Sequence, residues 1–580
     1  MAISKGSDRN EMGSFDVCIV GSGPVGLALM LECQKQGLSV IVLEAEGEFS
    51  PGTACEASKA DIADPRHHVP MDLAVCRAFG GTSWTWGGRC VAFDDIDFEP
   101  RPYMQQNGWP FSHDTLRPWY SKAVSYLGCG VDQFTAPSPT WSGKIDKVSA
   151  ERLERWPQQP KRAIIYRKEI ENAERLTVHL YSTVTELDLG VTGQQVESVR
   201  VAGADRRPVQ AKYYVLVCGG LETTRLLLST QRRWPDHFGG EAGALGRYYM
   251  GHLGGAIANI VLNDGEDIDN FDFNLDEAGV FVRRTFSIDD ATLKAEELQN
   301  ITFWPDNLPF HDANHGSGLN SLIFLIMTIP FLGWRLVSEA IRLTIVGSAP
   351  RRYWPHILNI LRSPLGTLRD TAAVVRDRFV SRRWKPGWLF RSPNNTYVLI
   401  YRAEHRPSRE SAVSLSDKKD AFGLESLFIN LRFSEEDASS VVRAHAVLDQ
   451  ALRAAGKGRL EYMAPESKLT ELVLEQAIDG YHQIGTTRMG VDPATSVVGP
   501  DCKVHELSNL YIASSSVFPS SGQANPTLLA TTLAVRLAHE LLSRVNGVGN
   551  PARQPARARN FPYPKKGARD EAIDLNLECR

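Results

Sequence analysis

The sequence predicts an α/β molecule in which a Rossmann-like domain, discontinuous along the chain, is joined to an α+β domain with a large sheet backed by helices. Three observations predict it. From Phe15 the chain reads FDVCIVGSGPVGLALMLECQKQGLSVIVLEAE, where an apolar run, a glycine cluster, a helical stretch and a second apolar run follow in the order of a βαβ unit. From Tyr213, YYVLVCGGLETTRLLLS again passes from strand through paired glycines into helix, so a later segment returns to the same domain. The 580 residues, 43% hydrophobic and 23% charged, suffice for two linked cores.

A formal net charge of −4 argues against gripping nucleic acid, which needs a clear positive excess. The nine cysteines form no CxxC pair, no haem-attachment motif and no zinc spacing, so they read as reduced structural thiols and no metal site is assigned. The opening MAISKGSDRNEMG lacks the apolar segment of a secretory signal, and a cytoplasmic location is expected.

In the first unit Gly21 permits a tight turn, Gly23 lets backbone approach a pyrophosphate, and Gly26 allows helix to pack closely on strand. The phosphates would sit at a helix N-terminus, whose free N–H groups and dipole favour negative charge. Glu44 closes the second strand, where a carboxylate accepts hydrogen bonds from adenosine ribose hydroxyls. This set predicts dinucleotide binding without separating NAD from FAD.

Two further clusters favour a flavin. The loop CRAFGGTSWTWGGRC, from Cys76 to Cys90, sets Arg77, Gly80, Gly81, Ser83, Gly87 and Gly88 among small and aromatic residues that can lie along a large planar ring. The strand from Tyr213 ends in Gly219 and Gly220, with Glu222 in the first turn of the following helix. Each cluster alone also reads as a turn that needs glycine. Together with the dinucleotide unit they point to FAD.

The C-terminal part carries GYHQIGTTRMG from Gly480 and NLYIASSSVFPSSGQANPTLLATTLAVRLAHELL from Asn509. With the βαβ unit and both glycine clusters, these motifs resemble the glucose-methanol-choline (GMC) oxidoreductases, in the branch of pyranose oxidases, glycoside 3-oxidases and sugar dehydrogenase large subunits. The resemblance is thin between Ile260 and Thr470. It implies an FAD cofactor, an alcohol as hydride donor, and His482 as catalytic base with Asn525 completing the site at the flavin N5 edge. Ala513, Asn525, Pro526 and Thr527 would then also lie against the cofactor, with the helix opened by Pro526 aimed at the flavin pyrimidine carbonyl. Members that bind flavin covalently carry a histidine in the loop that here runs from Gly80 to Gly88. This chain has Ser83, Trp84, Thr85 and Trp86 there, so non-covalent FAD is expected.

The residue types suit that chemistry. Oxidising an alcohol removes the hydroxyl proton as hydride leaves the same carbon, and an imidazole, with an unperturbed pKa of about 6.5, is available to take that proton near neutrality. Asn525 does not titrate, but its amide can hold the developing alkoxide oxygen. Pro526 suits the first turn of a helix expected to run to Ser543. His67, His68, His252 and His405 lack such context and read as structural or surface groups.

In the middle of the chain, SAVSLSDKKDAFGLESLFINLRFS from Ser411 alternates as paired strands around a turn. The segment Ser321 to Trp388 joins an apolar run, broken by Pro330, Gly333 and Arg335, to an arginine-rich run. It falls short of the ~20 uninterrupted apolar residues of a spanning helix. Three readings stand: a helical hairpin packed on the body with a solvated basic face, an element lying in a membrane interface with its arginines toward anionic headgroups, or a docking surface for an electron acceptor or sister subunit.

The expected organisation is a flexible start (1–13), an FAD-binding domain from 14–94, 182–261 and 471–548, and a substrate-binding domain from 95–181 and 262–470 that includes the insert 321–388. A tail, 549–580, follows. The expected function is FAD-dependent oxidation of a secondary hydroxyl of a sugar or glycoside to a ketone, with electrons passing to dioxygen, a quinone or a protein. Oxidation of a non-carbohydrate alcohol, a redox-silent lyase activity, and a membrane-associated subunit of a glycan-modifying complex are the rival readings.

Overall fold

The computed structural model describes residues 3–5, 15–49, 56–105, 108–138, 140–143, 145–202, 208–332, 342, 345–347, 350–377 and 385–547. The βαβ unit forms as strand Phe15–Val20, helix Pro24–Lys35 and strand Val40–Leu43. Pro24 opens the helix, where its missing N–H is harmless and its fixed φ is already helical. These strands belong to a six-stranded sheet in the order Ile3–Lys5, Leu176–Leu180, Val40–Leu43, Phe15–Val20, Ala211–Leu216, Leu510–Ile512, and every pairing is parallel. Parallel strands buried on both faces must be continuously apolar, which is why VIVL at 40–43 is buried throughout. Helices Pro24–Lys35 and Thr527–Val545 pack together over this sheet through Leu27, Leu31, Ala534 and Leu541.

The second sheet runs Asn274–Leu275, Phe281–Ile288, Ile301–Asp306, Thr396–Glu404, His252–Leu262, Gly458–Tyr462, with Val148–Trp156 also paired to Phe281–Ile288. Its register divides its residues between two faces. Ile301, Phe303, Leu399, Tyr401 and Ala403 pack on the helix Glu435–Ala454 as one buried core. Thr302 lies opposite Arg402, Trp304 opposite Ile400, and Gly254 opposite Arg402, so a polar and aromatic set occupies the other face. The expected hairpin forms as Ala412–Lys419 against Glu425–Asn430.

The sheets move three expected boundaries. Leu176–Leu180 belongs to the parallel sheet, although 95–181 read as substrate domain, and His252–Leu262 belongs to the second sheet, although 182–261 read as FAD domain. Ile3–Lys5, read as part of a flexible start, is an edge strand beside Leu176–Leu180. An edge strand pairs through its backbone on one side only, so so short a stretch leaves little apolar signature in sequence. The tail 549–580 lies outside the described residues. The described part of the insert carries helices Gly318–Met327, Trp354–Arg362 and Pro364–Val375.

Candidate active site

A cavity opens at the C-terminal ends of the parallel strands, where sheet order reverses around Phe15–Val20, the place where such sheets bind ligands. Gly21 and Gly23 of the first turn line it, as do Glu44, Arg77, Gly81 and Gly219. His482, Ala513, Pro526 and Thr527 line it too, and Cys76 and Cys218 stand in the wall. A Cβ on Gly26 would fall 2.4 Å from the Gly21 carbonyl oxygen, so only glycine lets the helix sit this close to the turn. A Cβ on Gly81 would fall 2.8 Å from the Cα of Gly23, and the Gly80 N–H donates to the Ser22 carbonyl at 3.1 Å. The loop from Cys76 is thereby clamped onto the dinucleotide turn.

Glu44 is buried and its Oε2 accepts from the Ser22 N–H at 2.9 Å. Burial holds its carboxyl above the usual range, against the opposing pull of Ser22. Arg77 pairs with Glu222 at 2.8 Å. Other predicted positions serve the walls rather than forming them. Ser83 donates its hydroxyl to the Gly80 carbonyl at 2.6 Å, and Gly88 packs near Pro157 and Pro160. Gly87 is exposed. The residues present fit a dinucleotide: open space surrounds the position where Gly23 would carry a Cβ, a helix N-terminus follows it, and a carboxylate ends the second strand.

From the cavity wall His482 meets Asn525, which does not itself line the cavity, the amide Nδ2 lying 3.1 Å from the imidazole Nε2. The direction of every bond there follows from one group that can only donate. The Arg402 guanidinium donates to Asn525 Oδ1 at 2.6 Å. The amide must then present its NH2 to His482, whose Nε2 accepts with its lone pair. The proton consequently sits on Nδ1, which donates to Asp479 Oδ2 at 3.0 Å. Asp479 Oδ1 accepts the backbone N–H groups of Gly480, Tyr481 and His482 at 2.8, 2.9 and 3.1 Å, and Oδ2 accepts that of His252 at 2.8 Å. Burial opposes this charge, but His482, His252 and the hydrogen bonds outweigh it and hold the carboxyl well below the usual range.

His252 completes the group, its Nδ1 3.1 Å from His482 Nδ1 with the rings edge to face. Burial pushes its pKa down to about 3, so the ring is neutral. Its Nε2 is buried without a hydrogen-bond partner among the described residues. Sequence reasoning set His252 aside and did not name Asp479 or Arg402. Asp479 had a local signal, an acid three residues before the histidine in IDGYH, whereas His252 joins only through the second sheet. His252, Asp479 and His482 bring their ligand atoms within 4.8 Å, a spacing that also suits a metal, although five N–H donors already engage the carboxylate. His68 and His405 have structural partners, Tyr249 Oη at 3.0 Å and the Arg432 carbonyl at 2.8 Å.

Beyond Asn525, the polar face of the second sheet and the loop that ends at Cys90 bring together a basic cluster. Arg89 and Arg283 both pair with buried Glu154, and both guanidinium groups lie over the Trp304 ring, at 4.6 and 4.7 Å from its centroid. Burial draws the Arg89 pKa down to about 9 despite Glu154, with Arg402 and Arg283 adding repulsion. Two of these three arginines share the Glu154 carboxylate while the third, Arg402, holds Asn525.

Residues 16–245 match a family model described as FAD dependent oxidoreductase, and 407–534 match one described as GMC oxidoreductase. The chain is 22% identical to paromamine 6'-oxidase of Streptomyces fradiae over 92% of its own length and 93% of that protein. It is 32% identical to C-glycoside 3-oxidase of Arthrobacter globiformis over 135 residues, 23% of this chain and 24% of that one. The structure of a fungal aryl-alcohol oxidase shares the fold with a TM-score of 0.51 at 15% identity, covering 92% of this chain and 99% of that one. With a dinucleotide turn and a histidine that meets an amide both on its cavity wall, and with spans that match models described as FAD dependent oxidoreductase and GMC oxidoreductase, the chain resembles the GMC oxidoreductases and is an FAD-dependent oxidoreductase acting on CH–OH donors.

Proposed function

We propose that this protein oxidises a secondary hydroxyl of a sugar or glycoside to a ketone, with His482 as the base and FAD held without a covalent bond. The observation that carries the reading is the one-way hydrogen-bond chain from Arg402 through Asn525 and His482 to Asp479. It leaves an acceptor lone pair on His482 Nε2, directed at the site. A substrate hydroxyl that takes the place of the Asn525 N–H donates its proton to Nε2, and the imidazolium so formed is stabilised by Asp479. The amide of Asn525 then donates to the oxygen as negative charge develops on it. FAD, when bound against these walls, would supply the two-electron acceptor that the oxidation of an alcohol requires.

The carbohydrate class is supported by relatives named C-glycoside 3-oxidase and pyranose 2-oxidase. The Arg402 guanidinium beside Asn525 adds further N–H donors close to His482, and each buried sugar hydroxyl needs a partner. The non-covalent cofactor is supported by the absence of histidine between Gly80 and Gly88. Anaerobic mixing with a panel of glycosides and simple alcohols tests the reading, followed through loss of the oxidised-flavin absorbance. Glycosides are expected to bleach the flavin, the product to be a ketone, and His482→Ala to slow bleaching by about 10²–10⁴-fold. Acid precipitation should release the flavin, and admitting air then separates oxidase from dehydrogenase. Bleaching by non-sugar alcohols alone would move the substrate to the rival class, and turnover without bleaching would point to lyase chemistry.

A further inference from the structure

The insert turns the usual pattern of a surface helix inside out. In Trp354–Arg362 the buried residues are His356 and Asn359, whereas Trp354, Leu358 and Leu361, at helical spacing, face outward. Trp354 is 66% exposed and Leu361 64%. In Pro364–Val375 the buried residue is Thr367, while Leu365 is 80% and Leu368 68% exposed, with Val375 exposed beyond them. After Gly318–Met327 the chain exposes Ile329, Phe331 and Leu332 in the same insert.

The inward polar residues are satisfied. His356 Nδ1 lies 3.1 Å from Ser321 Oγ and its ring stacks on Phe324 at 4.1 Å, and Asn359 Nδ2 donates to the Ala313 carbonyl at 2.9 Å. The helices are therefore oriented by their polar side, and the apolar side is left outward by construction. Scattered exposed leucines are ordinary on a protein surface, but successive helices of one insert that each turn apolar side chains outward are the kind of surface that marks an interaction site.

Charge identifies what covers it. Between Gly318 and Trp388 the sequence carries eleven Lys and Arg against three Asp and Glu, while the whole chain sums to −4. Arg351, Arg352, Arg362, Arg369 and Arg376 are exposed beside the apolar stripes, and the acids there, Asp370 and Asp377, are paired with their neighbours Arg369 and Arg376. No helix among the described residues is long and apolar enough to cross a membrane. An apolar face rimmed by arginines fits the boundary between acyl chains and anionic headgroups, where the stripe is buried and the guanidinium groups meet phosphate. We propose that this insert docks the enzyme on the surface of an anionic lipid bilayer. The patch belongs to neither span matched by the family models, 16–245 or 407–534, so the inference does not depend on the catalytic reading.

The test is flotation of the full-length holoenzyme with vesicles of phosphatidylcholine alone or mixed with phosphatidylserine. The wild type is expected to float with the mixed vesicles, weakly with phosphatidylcholine, and less as salt is raised. A variant with Trp354→Ser, Leu361→Ser, Leu365→Ser and Leu368→Ser is expected to lose at least ten-fold in vesicle binding with its flavin spectrum unchanged, since these side chains are exposed and none lines the cofactor cavity. Arg352→Glu with Arg362→Glu and Arg369→Glu should abolish the preference for phosphatidylserine. Wild-type protein that stays at the bottom with both vesicles overturns the proposal, and so does a serine variant that floats like the wild type. Self-association removed by the serine variant, without flotation of the wild type, would assign the face to a second copy of the chain and likewise overturn it.

Discussion

Asp479 orients the proposed base rather than sharing its work. Three backbone donors converge on its Oδ1, so an amide at this position must either turn its NH2 against them or turn it toward His482 Nδ1. The second choice moves the imidazole proton to Nε2 and removes the acceptor. Asp479→Asn is therefore expected to keep FAD and its oxidised spectrum yet reduce the flavin about 10²–10⁴-fold more slowly, a readout for stopped-flow absorbance with a saturating alcohol. Equal rates in the two proteins would show that the carboxylate does not set the tautomer. At this scale the sequence revealed residues whose partners are close in the chain or whose motif is compact. His482 stood out by its glycine-rich surroundings, and Asn525 by its proline and threonine. His252 is 230 residues from the histidine it touches, and Arg402 is 123 residues from Asn525. No local pattern marks such pairs, because strand register brings them together.

Elements bounded by glycine and proline were the most legible. The turn at Gly21 to Gly26, the helix opened by Pro526, and the hairpin from Ser411 each follow from local backbone preference combined with apolar periodicity. Thr527–Val545 runs slightly past the expected end at Ser543. The order of strands was less legible, since strand segments of similar composition serve both sheets and long-range pairing decides between them. The helix Pro24–Lys35 offers a direct test of the close approach at the turn. Gly26→Ala places a methyl group 2.4 Å from the Gly21 carbonyl oxygen, a contact that backbone must move to relieve. Its expected cost is about 1–3 kcal/mol of stability with a fall in FAD retention, measured as a lower thermal midpoint and a lower ratio of flavin to protein absorbance. A fully loaded variant of unchanged midpoint would show that the turn yields more easily than its packing suggests.

At the scale of the whole molecule, the proposed chemistry lies on the seam between the two sheets. His252 and Arg402 come from strands of the second sheet, whereas the helix beside Asn525 packs over the parallel one. A ligand that binds only the folded seam adds stability to both bodies through mass action, so the cofactor also acts as cement. The parallel sheet is closed by Leu510–Ile512, and His482, Asn525 and the helix Thr527–Val545 all belong to the same final stretch of chain. Synthesis proceeds from the N-terminus at about 5–20 residues per second, and so the dinucleotide turn leaves the ribosome well before the walls that enclose a flavin. Capture of the cofactor is consequently one of the last events in the life of the nascent polypeptide. Ribosome-bound chains halted at residue 470 should expose the turn yet retain no flavin, while full-length chains released into the same FAD-containing extract should retain it.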